Sequence, residues 1–375
     1  MAALEPDVVE TAAEAELLAR PPLIVVERVR AFMDERGLGD GPVSASRIGE
    51  GGGSNFSFLV ERGGERYVLR RPPRPPLPPS AHDVVREARL QLALAPLGTR
   101  VPPIRAVCED EAYLGVPFYV MGYVDGFVVT DELPPGLDGH ETACRRLAED
   151  LVDSLVEVHA ADVTAPGLAP LVRRGSYLDR QVRRFSQLWE LNATRSLPRV
   201  AEVGARLGAT MPEPTAPVVV HGDYRLGNMI VVPGRPQPIV AVLDWEMGAI
   251  GDPRADVGYL LATYSPPDGE PSPLGTSPVT AKPGFLTRDE LVARYAERSR
   301  RGPEPLEWFE ALALWKAAVF CEAIYGRFLR GELTAADERA AAFEHIVPAL
   351  AEGAAERLSR ARSPRSGPGQ GRGRR

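Results

Sequence analysis

The sequence has almost no lysine. Of its 44 basic residues, all but Lys282 and Lys316 are arginine. A phosphate-binding loop of the G-x-x-x-x-G-K-[ST] type requires a lysine directly after a glycine, and a Schiff-base enzyme requires a lysine in a pocket. Lys282 lies in a proline-rich stretch, and Lys316 lies in an apolar, helix-like run. The sequence therefore argues against both classes.

Cysteine is also scarce. Cys108, Cys144 and Cys321 are far apart in the chain and form no C-x-x-C pair. This odd, scattered set argues against a disulfide framework and against a zinc site. We expect all three to be small buried hydrophobic residues.

Long uncharged apolar runs are absent. No run approaches the roughly 18 residues of a membrane span, and the first sixteen residues carry five acids, unlike a secretory or transit peptide. With 44% hydrophobic residues, the chain can form a sizeable core. We expect a cytoplasmic globular protein with no membrane partner.

Positive charge is concentrated at the C-terminal end. Residues 360–375 carry six arginines and no acid, so the net charge of −7 becomes −13 when those six are left out. An acidic body of this kind argues against a nucleic-acid partner. The tail is rich in glycine, serine and proline and is predicted to be disordered.

The hydrophobic pattern changes along the chain from strands to helices. Strands are predicted at 47–49, 56–60, 67–70, 104–108 and 118–123, with helices at 22–37 and 80–95, the latter starting at a capping box of Ser80 and Asp83. Further helices are predicted at 141–160, 176–192, 288–298, 304–329 and 334–358. The chain is therefore predicted to be α+β, with a small antiparallel sheet lobe that contains one main helix, followed by a larger, mostly helical lobe.

A short β segment interrupts the helical part. Residues 218–220 predict a strand, and residues 229–232 and 239–243 predict two more strands that are joined by a Pro-Gly turn. Because this hairpin returns on itself, Asn228 and Asp244 are expected to lie close together.

Two motifs carry the most specific signal. Residues 221–228 read HGDYRLGN, and residues 243–246 read LDWE. Their spacing and order resemble the catalytic and metal-binding segments of the aminoglycoside phosphotransferase and choline kinase-like family, which is related to protein kinases. The resemblance extends from about Ile48 to Phe328. It implies a protein-kinase-like two-lobed fold, with a nucleotide-binding lobe at 1–124 that includes an N-terminal helical extension, a catalytic and substrate-binding lobe at 125–359, and the tail.

The same resemblance implies roles for the motif residues. Phosphoryl transfer needs oxygen ligands for Mg²⁺ and a carboxylate that orients the attacking hydroxyl. Asp223 matches the carboxylate, whereas Asn228 and Asp244 match the metal ligands. Arg225 matches the position of a kinase lysine that reaches the transferred phosphate; the alternative is a surface arginine that pairs with an acid.

Other polar residues match supporting positions. His221 resembles the histidine that braces the catalytic loop, and Asp256 resembles a carboxylate that does the same. His159 is expected to be structural. Asp252, which precedes a proline, is expected to be the N-cap of a helix.

The nucleotide site is predicted in the first lobe. The glycine-rich turn would cover the phosphates through Gly51, Gly52, Gly53, Ser54 and Asn55. The segment 118–124 resembles the hinge between the lobes, where backbone groups of Gly122 and Val124 would contact the base of ATP or GTP.

The missing lysine matters most in the third strand. Protein kinases place there a lysine that binds phosphates and pairs with a helix glutamate. Arg70 occupies this place, and Glu87 is the matching acid. Arginine keeps the charge but is longer and planar, so the exchange is not conservative.

These observations predict a Mg²⁺-dependent transfer of the γ-phosphate of ATP or GTP to a hydroxyl of a small molecule. The exchange at Arg70 leaves a second hypothesis open, a catalytically silent nucleotide-binding or scaffold protein. A third is a phosphohydrolase. The sequence identifies neither the acceptor nor the oligomeric state; Glu322, Tyr325, Arg327 and the proline-rich stretch 265–284 are candidates for the acceptor cleft.

Overall fold

The computed structural model describes residues 6–49, 55–75, 82–267, 269, 274–332 and 338–361. The strands are β1 (Val8–Val9), β2 (Ile24–Val25), β3 (Val43–Ile48), β4 (Phe56–Arg62), β5 (Glu65–Arg71), β6 (Ile104–Cys108), β7 (Phe118–Gly122), β8 (Phe127–Val128), β9 (Val218–Val220), β10 (Met229–Val231), β11 (Ile239–Val242) and β12 (Ala249–Gly251). The helices are α1 (Ala12–Glu16), α2 (Val26–Glu35), α3 (Val84–Leu94), α4 (Glu141–Ala160), α5 (Tyr177–Asn192), α6 (Pro198–Ala209), α7 (Arg254–Thr263), α8 (Arg288–Ser299), α9 (Leu306–Leu329), α10 (Glu338–Ala341) and α11 (Phe343–Arg360).

The first lobe is built on an antiparallel sheet with the order β3-β4-β5-β7-β6. Because strand side chains alternate between faces, Leu69 and Phe118 enter the core under α2, where the Phe118 ring lies 4.9 Å from the Phe32 ring. Arg70 and its cross-strand partner Tyr119 face α3 instead. The alternation thus directs Arg70 toward the second lobe.

Helix α9 forms the centre of the second lobe, where it is buried against α5, α6, α7 and α11. Two glycines allow its close packing. A Cβ on Gly258 of α7 would lie 2.5 Å from Phe309 Cβ, and a Cβ on Gly204 of α6 would lie 2.7 Å from the Trp315 ring. The Trp315 indole N–H donates to the Val200 carbonyl at 2.9 Å. These contacts hold the helices around α9 in register.

Two small sheets support the loops between the lobes. Strands β8, β10 and β11 form one sheet, and β9 pairs with β12 in the other. Met229 pairs with Val242, and the Leu243 N–H donates to the Asn228 carbonyl at 2.8 Å. The predicted hairpin is therefore confirmed, and it places Asn228 and Asp244 at neighbouring ends of two strands.

The predicted fold class is correct, although some elements were not predicted. Helix α6, strand β12 and the short elements β1, α1, β2 and β8 were missed. Ser80 lies outside the described residues; Asp83 itself caps α3 and accepts the Arg86 N–H at 2.9 Å. Cys108 and Cys144 are buried as expected, whereas Cys321 is partly exposed. Within the described residues, no helix is long and apolar enough to cross a membrane.

Candidate active site

The loop between β9 and β10 is fixed by a buried histidine. His221 Nε2 lies 2.8 Å from the Leu243 carbonyl oxygen, and its Nδ1 accepts the Asp223 N–H at 3.2 Å. Gly222 has a φ of +86°, and a Cβ there would lie 2.8 Å from Met247 Cβ, so only glycine fits. These bonds place Asp223 at a defined point of the loop, and the bracing role predicted for His221 agrees with them.

A buried carboxylate holds the loop from below. Asp256 of α7 accepts the backbone N–H groups of His221 at 2.7 Å and of Gly222 at 2.8 Å, and it lies 3.2 Å from His159 Nε2. Burial alone would raise the pKa of Asp256, but these hydrogen bonds and the two histidines hold it below its usual value. His159 also contacts the Tyr295 hydroxyl at 2.8 Å. Asp256 thus contacts the loop that it was predicted to brace, and His159, which was predicted only to be structural, contacts Asp256.

The predicted helix cap at Asp252 is displaced by one residue. Pro253 is the N-cap residue of α7, and the helix begins at Arg254. Asp252 nevertheless accepts the Arg254 N–H at 3.1 Å and pairs with the Arg254 guanidinium at 2.7 Å. Its carboxylate thus combines a cap with a buried ion pair.

Asp223 and Asn228 form one hydrogen-bonded unit. Asn228 Nδ2 donates to the backbone oxygen and to Oδ2 of Asp223, both at 2.8 Å. This leaves the amide oxygen of Asn228 for another ligand. Asp223 Oδ1 is buried and makes no hydrogen bond of normal geometry in the described part of the chain; Arg225 Nε lies 3.5 Å from it. Arg225 thus pairs with an acid, as the alternative interpretation expected, and that acid is Asp223.

Asp244 lies opposite in an unusual backbone conformation. Its φ of 65° and ψ of 60° are left-handed, which costs a non-glycine residue on the order of 1 kcal/mol or more and is typical of functional sites. The next residue, Trp245, is fully buried and donates to the Val242 carbonyl at 2.9 Å, and its ring lies 4.7 Å from the His221 ring at an angle of 58°. Packing of Trp245 therefore holds the strained turn that presents the Asp244 carboxylate to Arg70, at 2.5 Å.

Arg70 joins the two lobes through carboxylates. Its Nε donates to Glu87 at 3.1 Å, and its Nη2 lies 2.5 Å from Asp244 and 3.6 Å from Glu246. Burial opposes the charge of Arg70, but Glu87 and Asp244 outweigh it and raise the pKa of the guanidinium. Burial raises the pKa of Glu87, which Arg70 and the Tyr119 hydroxyl at 3.0 Å offset in part. The expected pair of Arg70 and Glu87 is present.

Glu246 is a site residue to which the sequence analysis assigned no role. Its carboxylate accepts Asn55 Nδ2 at 3.2 Å, and Asn55 in turn contacts His82 at 3.2 Å. Burial, followed by the charge of Asp244, raises the pKa of Glu246 to about 8. The signal was its position two residues after Asp244, on a 3-10 turn that points both carboxylates toward Arg70.

Comparison with known proteins agrees with this geometry. Residues 45–309 match the sequence model of the phosphotransferase enzyme family. The chain belongs to this family. The resemblance that the two motifs indicated is therefore confirmed, together with its kinase-like fold.

The curated relatives of this phosphotransferase are longer proteins. It is 32% identical to mouse acyl-CoA dehydrogenase family member 10 over 289 residues, 76% of this chain and 27% of that protein. It is also 32% identical to chicken acyl-CoA dehydrogenase family member 11 over 307 residues, 80% of this chain and 39% of that protein. The chain thus spans about a quarter to two fifths of the relatives it matches.

Solved structures show the same fold. A "putative aminoglycoside phosphotransferase" from Ralstonia eutropha JMP134 superimposes with a TM-score of 0.73 and 27% identity, covering 89% of this chain and 98% of that one. Aminoglycoside phosphotransferase APH(4)-Ia, in a ternary complex with ADP and hygromycin B, gives a TM-score of 0.55 at 16% identity, with 86% and 97% covered.

The donor set of this phosphotransferase fits Mg²⁺ bound together with phosphates. Among the described residues, no three His, Cys, Asp or Glu side chains converge on one metal position. The free oxygen of Asn228 and the Asp244 carboxylate are oxygen ligands from adjacent strand ends. Mg²⁺ is typically bound by one or two such groups, with waters and substrate phosphates completing its octahedron. The residues present therefore fit the metal.

The structure describes only some of the residues that were predicted to contact the nucleotide. Residues 51–54 lie outside the described part, so of the glycine-rich turn only Asn55 is described. In the hinge, the Gly122 N–H already donates to the Pro103 carbonyl at 2.8 Å. The Val124 N–H makes no hydrogen bond to the described backbone. Val124 is thus the better candidate for a donor to the base.

The candidates for the acceptor cleft divide into two groups. Glu322 is fully buried and pairs with Arg195 at 3.2 Å, and the Arg195 guanidinium lies 4.7 Å from the Tyr325 ring. These three residues pack helices together and do not line an open cleft. Arg327 is different: burial lowers the pKa of His82, and Arg327 is near enough to lower it further. The end of α9 therefore reaches the space between the lobes.

Two residues near Asp223 were not singled out as site residues in the sequence. Tyr259 of α7 faces the Asp223 carboxylate; burial and this carboxylate raise the pKa of the Tyr259 hydroxyl well above its usual value. Lys316 of α9 is also buried, and the charges of Asp256 and Asp223 partly offset the lowering of its pKa by burial. Neither belongs to a motif, because both come from helices distant in sequence from Asp223.

Proposed function

We propose that this phosphotransferase transfers the γ-phosphate of ATP or GTP, with Mg²⁺, to a hydroxyl of a small molecule, and that it does so in the cytoplasm. The observation that carries the proposal is the convergence of Asp223, Asn228, Asp244 and Arg70 between the lobes. Together they supply an acceptor for a hydroxyl proton, two metal ligands and a cation for phosphate, which is the set that phosphoryl transfer requires.

The chain's own residues divide the work. Asp223 accepts a hydrogen bond from the acceptor hydroxyl at Oδ1, the atom that the loop leaves without one, and so aims the oxygen at the γ-phosphate. Arg225, whose Nε lies 3.5 Å from the same oxygen, would leave this acid to contact the transferred phosphate. Asn228 and Asp244 hold Mg²⁺, which when bound neutralises charge on the phosphates.

The first lobe would bind the remainder of the nucleotide. Arg70, kept in place by Glu87, contacts the α- and β-phosphates in the role that a lysine has in protein kinases. Residues 51–55 cover the phosphates, and the backbone at Val124 meets the base. On this proposal residues 1–124 form the nucleotide-binding lobe and residues 125–359 form the catalytic and substrate-binding lobe, as the sequence analysis expected.

The acceptor is chosen from two classes. The solved neighbours carry the name aminoglycoside phosphotransferase, whereas the curated relatives carry the name acyl-CoA dehydrogenase. The name of these relatives refers to acyl-CoA, so a hydroxylated acyl-CoA is a second candidate acceptor beside the aminoglycosides.

Acceptor-dependent formation of ADP or GDP tests the proposal. Kanamycin, choline, glycerol, glycerate and 3-hydroxybutyryl-CoA would each be supplied with Mg·ATP or Mg·GTP. The variant Asp223→Asn should lose about 100-fold or more in turnover, because it removes the hydrogen-bond acceptor for the hydroxyl. Asp289→Asn, on the exposed start of α8, is the matched control and should keep the wild-type rate.

The outcomes also separate the alternatives. A chain that binds no nucleotide in calorimetry with Mg²⁺ present contradicts the proposal. Nucleotide binding with equal turnover in the wild type and in Asp223→Asn favours the silent scaffold protein. Phosphate release without any acceptor favours the phosphohydrolase.

A further inference from the structure

The second lobe contains a buried lysine without an acidic partner at contact distance. Lys316 is 7% exposed, and its ammonium lies 4.9 Å from the Phe185 ring. Among the described residues, no carboxylate lies within 4 Å of it. A buried charge of this kind is costly unless it is paired. The ammonium therefore has capacity for an anion that the chain does not supply.

Helix α9, which carries Lys316, packs against α7, the helix that carries Asp256 and Tyr259. Burial lowers the pKa of Lys316 to about 8, although the charges of Asp256 and Asp223 favour its charged form. Lys316 lies on α9, Phe185 on α5 and Tyr259 on α7, and these three helices meet beneath the catalytic loop. An anion held by Lys316 would thus lie next to the helices that support the loop of Asp223.

The surrounding surface has the same sign of charge. Arg173 and Arg184 are exposed and have no ion pair among the described residues. Both are close to Arg86, where burial lowers the pKa of the guanidinium and the two arginines lower it further. The Arg86 guanidinium itself donates to the backbone carbonyls of Glu246 and Gly248. A cationic rim repels a polycationic acceptor and attracts an anionic one.

We propose that the acceptor of this phosphotransferase carries a carboxylate or phosphate group, and that Lys316 binds this group beside Asp223 while Arg184 and Arg173 guide it. The inference rests on the proposed function for the identity of the transferred group. It adds the chemical class of the acceptor. It also disfavours aminoglycosides, which are polycations.

Matched acceptors and a matched lysine test the inference. Glycerol and glycerate differ by one carboxylate, and kanamycin represents a cation. The variant Lys316→Met keeps the apolar stem and removes the charge; Lys282→Met, which changes an exposed lysine paired with Asp138, is the control. We expect glycerate or 3-hydroxybutyryl-CoA to be preferred, with a KM about 10-fold or more higher in Lys316→Met and a kcat within about threefold, because one charged contact contributes about this much to affinity.

A second arm does not depend on turnover. The protein saturated with Mg·AMP-PNP is titrated with sodium sulfate at constant ionic strength, and the unfolding midpoint is recorded. The wild type and Lys282→Met should be stabilised more by sulfate than Lys316→Met. Arg184→Gln, an exposed change that cannot prevent folding by loss of packing, should give an intermediate response.

Three results would overturn the inference. These are equal sulfate stabilisation in all variants, equal loss of activity on glycerol and glycerate in Lys316→Met, or a preference of the wild type for kanamycin. If no compound is phosphorylated but sulfate stabilisation still depends on Lys316, the proposed function fails while the anion site stands.

Discussion

Replacement of Arg70 by methionine tests the nucleotide site most directly. The change keeps an unbranched stem on β5 but removes the guanidinium that bonds Glu87 at 3.1 Å and Asp244 at 2.5 Å. Glu87, with a side chain that is 1% exposed, would keep only the Tyr119 hydroxyl. Removing one partner of a buried pair costs about 3–5 kcal/mol. Because Glu87 can take up a proton, we expect the lower part of this range as the loss of unfolding free energy.

The loss of Arg70 should also weaken nucleotide binding and turnover. Without Arg70, no other residue in the described part of the chain forms an ion pair with Glu87, Asp244 or Glu246, so phosphates would enter a site of three carboxylates. Loss of one preorganised electrostatic donor typically costs about 100- to 1,000-fold in rate. We expect a loss of this order in turnover and at least about 10-fold weaker Mg·ATP binding.

Two further variants make the test specific. Arg70→Lys keeps the charge but cannot bond Glu87 and Asp244 with two fixed donors, so we expect a smaller loss, on the order of 10-fold. Arg66→Met changes an exposed arginine of the same strand, paired with Asp125, and should bind Mg·ATP like the wild type. Calorimetric titration of folded variants gives the affinities, and urea denaturation gives the stabilities. Wild-type affinity for Mg·ATP in Arg70→Met would refute the placement of the nucleotide.

Other predictions concern the supports of the site. Asp256→Asn should lose about 3 kcal/mol of unfolding free energy in urea denaturation at pH 7, because the charged acceptor of two backbone N–H groups is removed. Since the pKa of Asp256 is lowered on folding, the stability advantage of the wild type should be complete above about pH 4 and should vanish as the pH falls further. An unchanged advantage in acid would contradict this prediction. Gly258→Ala should lower the unfolding free energy by about 2 kcal/mol or more, because the new Cβ would lie 2.5 Å from Phe309 Cβ. Gly208→Ala should raise it by about 0.5–1 kcal/mol, because the new Cβ would lie 3.9 Å from its nearest neighbour. Urea denaturation that shows both variants changed in the same direction would count against the packing argument. Lys316→Met should be more stable than the wild type below about pH 8, because the folded wild type buries a charged lysine there. This advantage should shrink by about 3 kcal/mol between about pH 8 and 10.5, where Lys316 is protonated only in the unfolded wild type. A stability difference that stays constant with pH would show that the folded protein does not bury a charged ammonium.

The sequence predicts those parts of the fold that depend on local pattern. Helix α4 and strand β9 have their predicted bounds, because each has a clear apolar period and an obvious end. Helix α6 was missed: its glycines at 204 and 208 weaken the helical signal, and only packing on Trp315 explains the first of them. Local pattern cannot report such a contact, since the partner lies more than a hundred residues away.

In the site, too, the sequence predicts what depends on local pattern and misses what depends on contacts between distant segments. The spacing of Asp223, Asn228 and Asp244 is local to one hairpin, so motif and topology together could place them. Glu246 lies in the same motif, yet its proximity to Arg70 depends on how the lobes meet. Lys316 looked like part of an apolar helix, and burial in a helix is what the structure shows. Its nearness to Asp223 depends on three helices that converge, which no sequence period encodes.

The scarcity of lysine therefore has two different physical meanings in this chain. At position 70 a guanidinium can do what a single ammonium cannot, because its planar fork bonds Glu87 and Asp244 at once and bridges the lobes. At position 316 the requirements are reversed. The ammonium lies over the Phe185 ring, and no residue in the described ranges pairs with it at contact distance, a position that suits a compact charge with three rotatable donors. Carboxylates of both lobes hold Arg70 at the position where kinase-like folds bind the phosphates of the nucleotide, so we assign those phosphates to Arg70. Lys316 has no ion pair among the described residues, so we assign the anion of the acceptor to Lys316.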